Sequence, residues 1–120
     1  MPQSHPVPIT PTGATNNRFR QQVLQGNPGH HRVLATQGIS ALGPQAVQEI
    51  LFAVLSFRDE DFRESFEPWG DRDMIVVEHH GQKIWGKIDT YDPSGEFMSP
   101  DPGDDAVTVR VLTVMLPNEY

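Results

Sequence analysis

MIVVEHHGQKIWGKIDTY, residues 74–91, is the stretch that decides how this chain folds. β-Branched and aromatic residues fill both of its ends, and Gly81-Gln82 interrupts them. That pattern predicts two strands, Met74 to His80 and Lys83 to Tyr91, joined by a tight turn. Strand residues alternate between faces, so Ile84, Gly86, Ile88 and Thr90 are expected toward the core. Lys83, Trp85, Lys87, Asp89 and Tyr91 form the opposite row. An aromatic, a cation, a carboxylate and a phenol on a rigid strand suit a binding face. They suit equally a solvent face carrying a Lys87–Asp89 pair, with Trp85 over an edge.

Downstream, Asp92-Pro93-Ser94-Gly95 fits a type I turn, and Pro100 and Pro102 make Ser99 to Asp105 a loop. Ala106 to Leu116 carries Val107, Val109, Val111 and Val114, which predicts a central strand; a helix is the alternative there. Upstream, Arg58 to Asp73 has no clean period, and Pro68-Trp69-Gly70 favours a bend. Pro44 to Phe57 places Val47, Ile50, Leu51, Val54 and Phe57 on one helical face, with Pro44 in the first turn. Gly38 to Gly43 reads as a connection and His31 to Thr36 as a strand. Thr15 or Asn16 is expected to cap a short helix through Leu24, with Phe19 and Val23 on its apolar side. Met1 to Ala14 holds prolines 2, 6, 8 and 11 and reads as a flexible tail without a site. The expected architecture is a single α+β domain over 15–120. It is a small antiparallel sheet of about four strands, with the helix of about 44–57 packed on a face and a short N-terminal helix beside it.

Charge limits the partners. The chain has 120 residues, with 9 Lys+Arg against 16 Asp+Glu, a formal −7. The first 48 residues hold Arg18, Arg20 and Arg32 and no acid, whereas 58–105 hold fourteen acids against five bases, a local −9. Such a balance disfavours direct binding to a phosphate backbone, which needs basic excess. It favours either a solvated face or an acidic surface that docks on basic protein. With no cysteine, disulfides, zinc ribbons and thiolate catalysis are excluded. No apolar run reaches the roughly 18 residues that would cross a membrane, and the N-terminus has no secretory pattern, so the expected location is cytoplasmic.

Chemical motifs are sparse. The histidines fall in adjacent pairs, His30-His31 and His79-His80. Adjacent strand residues point to opposite faces, so one member of each pair at most is expected to reach a common point. Asp89, Asp92 and Asp101 with His79 are the residues a metal-assisted hydrolase would use. Turn formation accounts for the same aspartates. Arg18, Arg20, Arg32 and Arg110 either form a small basic patch or cover the core edge and pair with the acids. No phosphate loop, dinucleotide fingerprint or nucleophile elbow is present.

The stretches KIDTYD (Lys87 to Asp92) and SPDPGDDAVTVRVLTVML (Ser99 to Leu116), with the closing Glu119-Tyr120, resemble a bacterial family known as domain of unknown function 3768. The likeness extends back through HRVLATQGI (His31 to Ile39) to NNRFR (Asn16 to Arg20). Two departures from the family pattern stand out. Trp69-Gly70-Asp71-Arg72-Asp73 replaces a tyrosine, Gly-Glu-His-Asp pattern, and Gly86 replaces an aromatic residue before Lys-Ile-Asp. What the resemblance implies is a setting: members occur mainly in alphaproteobacteria, often on plasmids and integrated mobile elements. That setting favours accessory proteins of transfer, maintenance or evasion of host defence.

Together these readings predict a non-enzymatic acidic binding protein of a mobile element, needing no cofactor. Its role would be that of a counter-defence inhibitor docked on a nucleic-acid-handling host protein. The contact surface is expected at Trp69, Asp71, Asp73, Trp85, Lys87, Asp89 and Tyr91.

Overall fold

Helix α3, Pro44–Leu55, starts at a proline whose missing N–H the first turn does not need. Its apolar side buries Ile50, Val54 and Leu55, with Val47 and Leu51 partly covered. That side lies on a four-stranded sheet, which the computed structural model, describing residues 7–120, orders β1-β4-β3-β2. The strands are β1 Arg32–Ala35, β2 Met74–His79, β3 Gln82–Tyr91 and β4 Val109–Met115. β2 and β3 form the expected hairpin, with Ile75 opposite Gly86 and Val77 opposite Ile84. β4 then runs antiparallel to β3, Leu112 opposite Ile88, and is a strand at the sheet centre as its two-sided apolar pattern predicts.

The α+β class and the four strands follow the sequence reading, but the sheet is mixed. β1 lies parallel to β4, Val33 opposite Leu112. A four-residue strand carries no signal for direction, and a free sheet edge accepts a partner running either way; its direction follows from the long crossover that joins it to β4. β4 is flanked by β3 on one side, so β1 takes the other, and the whole of α3 and the hairpin serve as the crossover.

The core lies between the sheet and the helices. Ile75, Ile84, Ile88, Leu112 and Val114 meet Ile50, Val54, Leu55, Phe19 and Phe62. Each such side chain contributes roughly 1.5–3 kcal/mol of burial. Gly86 is what lets α3 approach: a Cβ there would lie 2.8 Å from Val54 Cγ1. A large side chain at 86 would point into the helix, whereas Trp85, one position earlier, stands on the other face.

The N-terminal helix begins earlier than expected. α1 spans Pro11–Leu24, capped by Thr10, whose Oγ1 accepts from the Gly13 N–H at 3.0 Å. Thr15 and Asn16 are buried inside the helix instead of capping it. The boundary of the predicted tail therefore moves, because Thr10-Pro11 is itself a cap followed by a first-turn proline. Pro11 to Ala14 are helical; the part of the tail reading that covers Met1 to Pro6 lies outside the described residues. Phe19 is buried and Val23 packs beside it, as the i, i+4 spacing suggests. The connection after β1 contains a four-residue helix, α2, Gln37–Ser40, and α3 ends two residues before Phe57.

The aperiodic stretch between α3 and β2 is held by one buried cation. Arg72 donates through Nη1 to Glu67 Oε2 at 2.7 Å and through Nε to Asp59 Oδ1 at 2.6 Å. Its Nη2 donates to the Val7 carbonyl at 2.6 Å. Phe62 reaches the core from the same stretch. No helix among the described residues is long and apolar enough to cross a membrane.

Candidate functional site

β3 outruns β2. The hairpin ladder ends at Met74 opposite Lys87, and the Asp73 backbone carbonyl then accepts from the Ile88 N–H at 2.8 Å. Beyond that point, among the described residues, the edge of β3 meets only the short bridge of Tyr91 with Met98 and the Ser99 N–H bonded to the Thr90 carbonyl at 3.1 Å. A cleft of about 370 Å³ opens along this edge. Its walls come from α1 (Thr12, Asn16), the lead into β2 (Asp71, Asp73), β3 (Lys87, Asp89, Tyr91) and the following loop (Met98, Pro102).

Buried polar side chains fix the walls. Asn16 donates to the Asp71 carbonyl at 2.8 Å and accepts from Arg110 Nη1 at 2.7 Å. Arg110 also donates to the Pro102 carbonyl at 2.6 Å and to Asp105 Oδ1 at 3.1 Å. Thr10 Oγ1 donates to Asp71 Oδ1 at 2.6 Å. Gly70 sits at φ 85° where its carbonyl accepts from the Thr10 N–H at 3.0 Å, and a side chain there would strike the Pro8 carbonyl.

The charges in the cleft are unequal. Lys87 Nζ lies 2.8 Å from Asp89 Oδ1, and that bond raises the ammonium pKa above its ordinary value. Asp89 is thereby neutralised by its neighbour. Burial pushes the Asp73 carboxyl up, and the charge of Asp71 pushes it further; Lys87 opposes both. A half-buried carboxyl destabilised by another carboxylate is a group that gains from an arriving cation.

Five of the seven expected contact residues, Asp71, Asp73, Lys87, Asp89 and Tyr91, therefore line one cleft. Trp69 and Trp85 do not. Trp69 stands 77% exposed in the Pro68-Trp69-Gly70 bend. Trp85 is on the sheet face away from α3, opposite Val76 and Met115, where it lines a separate hollow with Phe66 and Met74. Its ring meets Tyr120 edge-on at 5.8 Å. Tyr120 is seated there because the adjacent Glu119 accepts from Thr36 Oγ1, the Gly38 N–H and the Leu116 N–H at 2.6, 2.8 and 2.9 Å.

The sequence model of the family described as "Protein of unknown function (DUF3768)" matches residues 35–119, well over half of the chain. The chain belongs to this family. The DUF3768 match takes in the KIDTYD and SPDPGDDAVTVRVLTVML stretches and hence most of the cleft; Asn16 to Arg20 and His31 to Leu34 lie outside it. No curated protein and no solved structure matches the chain.

Within this DUF3768 chain the other expected groupings separate. Asp89 and His79 are not brought together: His79 stands opposite Gln82, seven residues along β3 from Asp89, roughly 23 Å away in an extended strand. Asp92 accepts from Ser94 Oγ at 2.6 Å in its turn, a bond that lowers its pKa, and Asp101 Oδ1 accepts from the Gly103 N–H at 3.3 Å. The four arginines form no shared patch. Arg20 is buried, donating to the Val54, Leu55 and Phe57 carbonyls at the end of α3, and burial lowers its pKa to about 10. Arg110 is buried as described, Arg18 lies 3.9 Å from Asp105, and Arg32 is exposed on β1.

One histidine reading is overturned. His79 and His80 do not point to opposite faces, because the strand ends at His79 and His80 enters the turn at φ 50°. Their rings lie 4.2 Å apart, and His79 Nε2 is 2.8 Å from Glu49 Oε1. The His30 and His31 rings likewise lie close, 4.1 Å apart and tilted by 45°, since His31 precedes β1. His31 is buried with its Nδ1 accepting the Arg110 N–H at 3.0 Å.

Proposed function

We propose that this protein is a non-enzymatic binding protein that receives a basic side chain of a protein partner in the β3-edge cleft. The observation that carries the reading is the charge imbalance there. Three carboxylates line the cleft with a single cation, Lys87, and that cation is already bonded to Asp89. Asp71 and Asp73 remain to meet a guanidinium or ammonium group, while Tyr91 and Met98 offer apolar contact to its stem. The overall −7 adds a long-range attraction for a basic surface. In this reading the partner is a nucleic-acid-handling host protein, the action is inhibition by occupancy in the cytoplasm, and the setting is a mobile element's evasion of host defence. Direct contact with nucleic acid is not part of it.

An arginine-rich peptide is the probe that tests the cleft. In an amide-resolved NMR titration at low salt, shifts are expected at Asp71, Asp73, Asp89 and Tyr91, and they should fade at moderate salt. Shifts spread evenly over the acidic surface, or persisting with Asp71→Lys and Asp73→Lys, would contradict the proposal.

A further inference from the structure

At the end of the sheet opposite the cleft, two elements bring three ligand-bearing side chains to one point. α3 presents Glu49, and the β2–β3 turn presents His79 and His80. The left-handed backbone at His80, followed by Gly81 at φ 80°, folds the second imidazole back over the first. One ligand atom from each residue lies within 4.8 Å of the other two. They border an open hollow of about 480 Å³ lined also by Leu42, Gln45, Ala46 and Gln82.

We infer that Glu49, His79 and His80 bind a divalent transition-metal ion of the zinc class. Two imidazoles and one carboxylate suit zinc, cobalt or nickel, whereas magnesium and calcium prefer all-oxygen sets. Tetrahedral zinc, with bonds of about 2.0–2.1 Å, needs donor atoms roughly 3.3 Å apart. His79 and Glu49 already stand at 2.8 Å, and the exposed Glu49 and His80 can adjust without disturbing the core. Gln45 Nε2 donates to Glu49 Oε2 at 3.3 Å, which steadies the carboxylate from behind. The fourth position faces the hollow and takes water or a side chain from elsewhere. An ion held there clamps the hairpin turn to α3.

The test is a titration of the full chain with zinc chloride, followed by calorimetry and by thermal unfolding. One equivalent should bind and raise the unfolding midpoint, because the folded state alone assembles the ligands. Magnesium chloride should give no comparable rise. His80→Asn, which tolerates the left-handed turn, and Glu49→Ala should each weaken zinc binding by at least about tenfold. His30→Ala should leave it unchanged. Absence of saturable binding, or equal affinity in the His80→Asn and Glu49→Ala variants, would overturn the site. An equal rise with magnesium would overturn the class of metal.

Discussion

Arg110 and Asn16 meet across 94 positions of sequence: Nη1 of the guanidinium donates to the amide oxygen at 2.7 Å, and both side chains are fully buried. The same amide donates to the Asp71 carbonyl at 2.8 Å. One small side chain on α1 thus joins the central strand β4 to the lead into β2. The cleft exists in the space this junction leaves beside β3.

Replacing Asn16 with Ala removes both bonds and leaves a buried guanidinium N–H and a carbonyl without that partner. A loss of about 2 kcal/mol in chemical denaturation is expected. The backbone amide signals around Asp71 should move with it. A change under about 0.5 kcal/mol would mean that water or a neighbour replaces the amide, and that Asn16 does not fix the wall.

Asp73 should cost the protein stability. Its carboxyl is raised, first by burial and then by Asp71, so the folded state keeps the proton longer than the unfolded chain does. Stability therefore falls as pH rises from the ordinary aspartate value through the raised one, and the whole cost remains at neutral pH. Asp73→Asn should raise the unfolding midpoint at pH 7, with the gain vanishing below about pH 4. The same variant should lose affinity for a basic peptide. A gain in stability with unchanged affinity would separate Asp73 from the proposed function.

His31 should behave in the opposite sense. Burial chiefly, with His30 adding, lowers its pKa to about 4 from the model-compound value of 6.5; Asp105 opposes the shift. The neutral ring is needed, because Nδ1 accepts the Arg110 N–H. Below pH 6.5 the unfolded chain takes up the proton first, so stability is complete above that pH and is lost progressively toward about pH 4. Imidazole NMR signals should show His31 titrating at about 4, well below the ordinary histidine value of 6.5. A His31 midpoint near 6.5 would contradict the buried, accepting ring.

The hairpin, the central strand and the main helix were legible because their signals are local: alternation in Lys83 to Tyr91, a proline start and an i, i+3, i+4 stripe in Pro44 to Leu55. The row of Lys87, Asp89 and Tyr91 was legible for the same reason. Parallel pairing of β1 was not, since Arg32–Ala35 is too short to encode direction. The buried arginines were hidden for a different cause. Arg20, Arg72 and Arg110 look like surface residues in sequence, and their partners lie up to 94 positions away. Asn16 gave no signal beyond a candidate cap. Convergence of His79 and His80 depends on a left-handed residue at the strand end, which no periodicity reveals.

The most direct test of the central claim is capture from a bacterial host lysate with the tagged protein, at low and moderate salt, beside the double variant Asp71→Lys, Asp73→Lys. Thermal unfolding of the charge-reversed protein is measured beside it, because Asp71 holds the Thr10 hydroxyl and Asp73 is half-buried; the comparison reads binding at temperatures where both proteins are folded. One dominant basic protein is expected, which wild type retains at low salt and releases as salt rises, and which the variant fails to hold. Retention of the same protein by both, unaffected by salt, would contradict an acidic cleft as the docking site.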